Sequence, residues 1–508
     1  MTSPATAGVE TELKFELEPE AMLKLREHPA FAEAQSPRRL HSVYFDTPDH
    51  DLKNRGLTLR VREASGGYVQ TVKQRQSSLF GRDEWEQRVE AERPDAHAFH
   101  DTPVEPLLHG DAARLAPVFA TTVERSVHLW RRGEDVVEIS LDQGEIAVGE
   151  QREPIRELEL ELKAGRPEAL FALARELALG APMRLSFESK GERGYRLAGH
   201  DGLAGLKAEQ TAVRRDMSAE DAFRLVARSA LAQVTGNAQL LRRARLPEAV
   251  HQMRVGLRRF RAALWAFKAI LEDEAYAGVK AQTKQLAQTL DEARDIDVFL
   301  HDTFHPAEAS AGDSDPALAA LGARLRHTQA EAYERVAAAL DSPTFAALLL
   351  DVAAWVEVGA WTHASSKARG QPCGDLGAKV LERLHRKVGK NGRRLQKMTP
   401  ESRHRLRIQA KKLRYAAEFF GGAFGKRKAP RLGRYRQAVR TLQDALGALN
   451  DIEVARVKGP RFLNGRGSDV AFTAGLLVGR REREEAALKL EAVNAFAAFR
   501  RAKSFWPA

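Results

Sequence analysis

A chain of 508 residues is too long for one hydrophobic core, so two to four domains are expected. Its 43% apolar content fits a soluble globular protein, and a single cysteine, Cys373, excludes a disulfide framework and a thiolate metal site. The net charge of +11 is uneven: residues 1–200 hold 27 Lys and Arg against 35 Asp and Glu (−8), and residues 201–508 hold 53 against 34 (+19). A basic half that large points to a polyanion, while the acidic half needs its own explanation. No stretch reads as a membrane span, and Met1–Gly8 lacks the basic-then-apolar order of a secretory signal. A cytoplasmic protein with no membrane partner is expected.

Period-two alternation predicts strands at Val9–Leu17, Leu57–Glu63, Tyr68–Arg75, Glu84–Glu90, Val123–Trp130, Val136–Asp142, Ile155–Lys163 and Arg184–Lys190. Helical stretches interrupt them near Glu20–Glu27 and Pro167–Leu179. Eight strands are enough to close an antiparallel barrel with flanking helices, which removes exposed edges. From about Ala198–Arg215 the pattern becomes helical and stays so, with breaks at His305–Pro316, Ala364–Asp375, Gly421–Pro430 and Gly459–Gly467. The expected fold class is α+β in two domains, 1–205 and 206–508.

The helical half contains a repeat: HQMRVGLRRFR from His251 returns as HRLRIQAKKLRY from His404. Downstream, RDIDV ending at Val298 is answered by NDIEV ending at Val454. Two related helical bundles, about 216–345 and 346–508, follow.

In the first strand Glu10, Glu12, Lys14 and Glu16 share one face, with Leu13, Phe15 and Leu17 on the other. Glu157, Glu159, Glu161 and Lys163 repeat the arrangement, and Thr58, Arg60 and Arg62 do so opposite Leu57, Leu59 and Val61. A sheet with one solvated face would also alternate in this way. Yet carboxylates two residues apart on a strand sit about 7 Å apart and repel by roughly 2 kcal/mol at an effective dielectric of ~20. Stacking three on one strand makes sense if cations lie among them, and hard divalent ions take several carboxylate oxygens. A barrel with a polar interior would set these acids against Arg60, Arg62, Lys73, Arg125 and Lys190, which suits a metal-bound phosphate ester or anhydride.

Five motifs in order, EXEXK at Glu10–Lys14, YFDTPDHDL at Tyr44–Leu52, LRVR at Leu59–Arg62, ELELELK at Glu157–Lys163 and SKGERGY at Ser189–Tyr195, make residues 8–200 similar to CYTH domains, the triphosphate tunnel metalloenzymes. The resemblance implies an eight-stranded tunnel acting on triphosphates with Mg²⁺ or Mn²⁺. One ion would bridge phosphate oxygens and a second would lower the pKa of the attacking water. Glu10, Glu12, Glu159 and Glu161 resemble the metal ligands, with Asp142 a further candidate and Glu157 in a supporting position. Glu10 and Glu12 with Lys14 then form the catalytic strand, and Arg60, Arg62, Lys73, Arg125, Lys190 and Arg193 resemble the cations that grip phosphates.

In the helical half, His251, Arg254, Arg258 and Arg261 fall within an arc of about 80° on a helix, and His404, Arg407, Lys411 and Arg414 match them. A solvated face would carry mixed signs, but no acid occurs between Glu248 and Glu272 or between Glu401 and Glu418. Asp295, Asp297, Asp451 and Glu453 are expected to supply some pairing. With aromatics at 7% of the chain and only Phe260 and Tyr415 in the basic segments, base-stacking platforms are missing and nucleic acid is not expected.

The duplicated segment resembles the CHAD domain, a histidine-containing helical domain, over about 215–508. That resemblance implies binding of long-chain polyphosphate, with Arg259 and Lys412 joining the eight residues above by position. The combined expectation is hydrolysis of inorganic triphosphate by a protein recruited to polyphosphate stores. Two alternatives stay open: a non-catalytic polyphosphate scaffold, and the same tunnel acting on thiamine triphosphate or on ATP to give cyclic AMP.

Overall fold

The computed structural model describes residues 12–32, 36–64, 66–74, 83–109, 111–199, 205–208, 211, 213–311, 316–363, 367–462 and 485–507. The chain forms two compact units, Met1–Leu206 with Asp341–Val358, and Lys207–Leu340 with Gly359–Ala508.

The first unit is built on one antiparallel sheet of nine strands: β1 (Glu12–Leu17), β2 (Arg38–Asp46), β3 (Leu57–Ala64), β4 (Gly67–Gln74), β5 (Asp83–Val89), β6 (Ala116–Arg132), β7 (Asp135–Val148), β8 (Gln151–Ala164) and β9 (Met183–Ser186). Their order is β5-β4-β3-β2-β6-β7-β8-β1-β9. Helices α1 (Pro19–Arg26), α2 (Pro167–Gly180) and α3 (Lys190–Leu197) complete the segment.

Two expectations are corrected. The sheet has a ninth strand, β2, whose sequence RRLHSVYFD begins with paired arginines and ends in an apolar run, so it lacks the period-two signature. Nor is the sheet a closed tunnel: among the described residues, β5 and β9 are its two edges. The physical cause lies at Ser189. Its hydroxyl accepts from the Glu192 backbone N–H and the Glu192 carboxylate accepts from the Ser189 N–H, a capping box that starts α3 and stops β9 after four residues. So short a strand leaves few groups for a ladder. Lys190, expected on a strand, is the first residue of a helix.

The apolar faces of the strands look outward and are covered. Leu13, Phe15, Leu158 and Leu160 are buried, as are Leu170, Phe171, Leu173 and Leu177 of α2. Farther along, Leu57, Leu59, Val61 and Val72 pack with Phe99, Val104 and Leu108. Each such side chain contributes roughly 2 kcal/mol of burial free energy. The opposite, polar face curls inward. Helix α3 lies close to the sheet because Gly194 has no side chain: a Cβ there would stand 2.1 Å from the Phe119 ring.

The second unit is helical: α4 (Ala219–Arg243), α5 (Pro247–Ala266), α6 (Tyr276–Thr289), α7 (Asp291–Phe299), α8 (Pro316–Asp341), α10 (Cys373–Asn391), α11 (Pro400–Phe419), α12 (Ala429–Phe462) and α13 (Glu485–Arg501) are its main helices. Helix α9 (Pro343–Val358), between α8 and α10 in sequence, belongs to the first unit, where it packs against α2 and β9 and Asp351 accepts from Arg175 at 2.8 Å. The stretch Pro343–Thr362 is long and apolar enough to span a membrane, but it carries Asp351 and Glu357 and half of it is buried within the protein.

Candidate functional site

Strand register gathers the acids. Glu12 lies opposite Glu161, Lys14 opposite Glu159 and Glu16 opposite Glu157 across β1 and β8. Asp142 lies opposite Glu157 across β7 and β8, and Arg125 opposite Asp142 across β6 and β7. Directly opposed residues share a face with Cβ atoms about 5 Å apart, and like charges placed so are destabilising unless cations intervene.

The curl turns that face into a cavity of about 240 Å³. Glu12, Lys14, Arg60, Arg62, Lys73, Arg125, Asp142, Glu159, Glu161 and Lys190 line it, bringing the predicted residues together. Glu10 lies outside the described residues. Arg193 sits beneath the cavity: it is buried and donates to Glu153 at 2.9 Å, Glu157 at 2.7 Å and the Pro154 carbonyl at 2.6 Å.

The deepest part is a buried ionic cluster. The ammonium of Lys190 stands 2.8 Å from Asp142, 2.5 Å from Glu157 and 2.9 Å from Glu159. Arg125 grips Asp142 with two hydrogen bonds of 2.7 and 2.6 Å and reaches Glu159 at 2.6 Å. Burial alone would raise the Glu157 carboxyl, but Lys190, Lys14 and Arg193 outweigh it and hold it at about 2. Glu159 is held well below the usual carboxylate range by Lys190 and Arg125 in the same way. Oxygens of Asp142, Glu157 and Glu159 lie within 4.8 Å of one another, a hard-oxygen set that could hold a metal ion. The register also sets Glu12 and Glu161 face to face at the cavity wall; Glu161 is engaged by Lys163 at 2.6 Å.

The cations on the far wall are held differently. Lys73 pairs with Glu84 at 2.7 Å, and Arg60 approaches the same carboxylate at 3.5 Å. Among the described residues Arg62 forms no ion pair; its Nε donates to Ser42 at 3.1 Å. Burial and the neighbouring Arg60 push its guanidinium down to about 10. Tyr44 also faces the cavity. Burial would raise its phenol, but Arg60, Arg62, Lys190 and Lys73 together lower it.

Sequence reading missed Tyr44, Glu84 and Glu86 as lining residues. The spacing of Glu84 and Glu86 carried the signal, since they share one face of β5. Asp46 of the YFDTPDHDL motif proves structural: it accepts from the N–H groups of Thr47, Leu52 and Lys53 and from the Tyr195 hydroxyl at 2.8 Å.

In the helical unit, α5 and α11 pack directly on each other and bring the two cationic faces together. Burial and the charges of Arg407, Arg258, Arg414 and Arg254 push the Lys411 ammonium down to about 7. His251 is pushed down to about 4 by burial and by Arg294, so its imidazole is neutral near pH 7. His404 contacts the Asn450 side chain at 2.8 Å, and Arg414 donates to Gln443 at 2.7 Å. Arg254 pairs with Asp291 at 2.6 Å, an acid the sequence reading did not single out. Asp297, expected to pair with these cations, instead accepts from Gln329 and Tyr333 in the interior. Arg259 is buried and paired with Glu418 at 2.7 Å, while Lys412 lies over the Trp265 ring and Arg261 acts on it.

Residues 8–195 match the family model described as the CYTH domain, and residues 225–458 match that of the CHAD domain. An inorganic triphosphatase of Haemophilus influenzae is 31% identical over 195 residues, 37% of this chain and 54% of that protein. The chain thus spans about half the length of this curated relative. The crystal structure of the CHAD domain from the plant Ricinus communis is similar at a TM-score of 0.51 and 26% identity, covering 59% of this chain and 98% of that one. This chain therefore carries a CYTH-like segment over residues 8–195 followed by a CHAD-like segment over residues 225–458.

Proposed function

We propose that the curled sheet hydrolyses inorganic triphosphate to diphosphate and phosphate with the help of Mg²⁺ or Mn²⁺, and that the helical unit binds long-chain polyphosphate. The observation that carries the first part is the cavity itself, where twelve charged residues of both signs converge in about 240 Å³. Glu12, Asp142, Glu159 and Glu161 would hold the metal, which on binding supplies an activated water and charge neutralisation for phosphate oxygens. Arg62, which forms no ion pair among the described residues, offers its guanidinium to a phosphoryl group. Arg60 and Lys73, steadied by Glu84, take the leaving diphosphate, and Arg125 and Lys190 neutralise charge developing on the equatorial oxygens.

The lining favours an inorganic substrate. Leu40 and Val123 are its apolar side chains, and the Tyr44 ring is already stacked on Phe119 with centroids 4.4 Å apart. A nucleobase or thiazole finds little to rest on. The test is a panel of tripolyphosphate, thiamine triphosphate and ATP with Mg²⁺, Mn²⁺ or Ca²⁺, read by phosphate release and product identification. Faster turnover of an organic triphosphate, or cyclic AMP as product, would refute the substrate; no turnover of any would leave a binding protein.

For the helical unit the supporting observation is the seam of Arg254, Arg258, Arg407, Lys411 and Arg414, whose charges act on one another across α5 and α11. Polyphosphate needs charge without base stacking. Binding should weaken steeply with salt, and preference for duplex DNA over polyphosphate would overturn the assignment. A cytoplasmic location at polyphosphate stores follows from this function and is checked by co-sedimentation with polyphosphate granules.

A further inference from the structure

A second group of cations in the helical unit lies off the seam. Lys412 follows Lys411 on α11 and so points about 100° away from it. Its ammonium sits 4.9 Å from the ring centre of Trp265 on α5, and the guanidinium of Arg383 on α10 lies 4.9 Å from the same ring. Lys280 on α6, Lys387 on α10 and Arg261 on α5 complete the group, each acting on Lys412. Among the described residues none of these five cations forms an ion pair with a carboxylate. Asp291, the acid whose charge reaches Arg261, is already held by Arg254 at 2.6 Å. Lys280, Arg383 and Lys387 are exposed and Trp265 is half-buried.

Two cations thus stand at one indole and three more surround Lys412, and among the described residues none of the five is paired with an acid. Like charges on neighbouring helical positions repel, and a one-signed exposed patch is an electrostatic seat for an anion. The two groups are joined through α11, because Lys411 and Lys412 are consecutive, and through α5, because Arg258 and Arg261 are one turn apart. On α5 the indole stands seven residues beyond Arg258 on the same side of the helix, about 10 Å farther along, so a ligand touching both needs more than three linked phosphates.

We infer that the Trp265 group is a second seat for the polyphosphate chain, so that the helical unit discriminates by length: short phosphates occupy the seam alone and long chains occupy both. This rests on the polyphosphate function proposed above. The experiment titrates the full-length protein with tripolyphosphate and with long-chain polyphosphate in EDTA, which silences turnover, and follows tryptophan fluorescence and calorimetry. Long chains should change a fluorescence signal that Trp265→Phe abolishes, and tripolyphosphate should not. Arg383→Gln, and separately the exposed pair Lys280→Gln with Lys387→Gln, should weaken long-chain binding roughly ten-fold and leave tripolyphosphate binding unchanged. Long-chain affinity unaltered in both variants would overturn the second seat, as would an equal loss for both ligands. If the unaltered protein bound no polyphosphate of any length, the function proposed for this unit would fall, and this inference with it.

Discussion

Replacing Lys190 with methionine removes the one ammonium shared by three buried acids while keeping most of its packing volume. Asp142 and Glu157 are fully buried and Glu159 half-buried, and their oxygens lie within 4.8 Å of one another. Holding Glu157 at about 2, against an unperturbed value of about 4.3, corresponds to roughly 3 kcal/mol of native-state stabilisation shared among Lys190, Lys14 and Arg193. Breaking a buried ion pair typically costs about 3–5 kcal/mol, and Arg125 and Arg193 remain to absorb part of it. A loss of about 2–4 kcal/mol at pH 7.5 is expected by urea denaturation. The sign with pH follows from the depressed carboxyls: their contribution is present above the unfolded pKa and fades as pH falls through the folded value. The difference between wild type and variant should therefore be largest above about pH 5 and shrink in acid. Mg²⁺ should restore more stability to the variant than to the wild type, because a divalent ion can replace the lost ammonium. A loss below 1 kcal/mol that is flat from pH 4 to 8 would refute the reasoning.

Glu12→Gln should lower kcat for tripolyphosphate on the order of 100-fold with an unchanged melting temperature, measured by phosphate release and calorimetry. Arg62→Met should raise the melting temperature while weakening KM about ten-fold, since it removes a half-buried cation that has no ion pair among the described residues. Polyphosphate affinity, measured by calorimetry, should fall as pH rises through about 7 as Lys411 loses its proton, and Lys411→Arg should bind without that dependence. Arg259→Met should lose about 2–3 kcal/mol of stability by leaving the half-buried Glu418 without its partner, with polyphosphate affinity per folded molecule unchanged.

Much of this protein could be read from local pattern alone. The alternation around Glu12, Arg60 and Glu159 marks strands with one charged face, because side-chain direction in a strand depends only on position parity. The repeat at His251 and His404 and the break in composition near Leu206 likewise need no tertiary information. Parity also placed Glu12, Arg60, Arg62, Lys73, Arg125, Glu159 and Glu161 around what proves to be one cavity, whereas Asp142 came from the family resemblance and Lys190 enters it from a helix.

What local pattern could not supply is which face of a charged element meets which neighbour. Arg193 and Arg259 carry the same charge as Arg62 and Arg258, yet packing buries the first two against Glu157 and Glu418. The ninth strand escaped notice because β2 is stabilised by its two neighbours rather than by alternation of its own. Closure of the sheet failed for a similar reason: a capping box at Ser189 diverts the chain into α3 and brings Lys190 down onto the acids. Period and composition determined the elements, the charge of their faces and the repeat. Only the tertiary structure decided which of those charges compensate one another and which remain available to an anion, because that depends on distances between residues far apart in the chain.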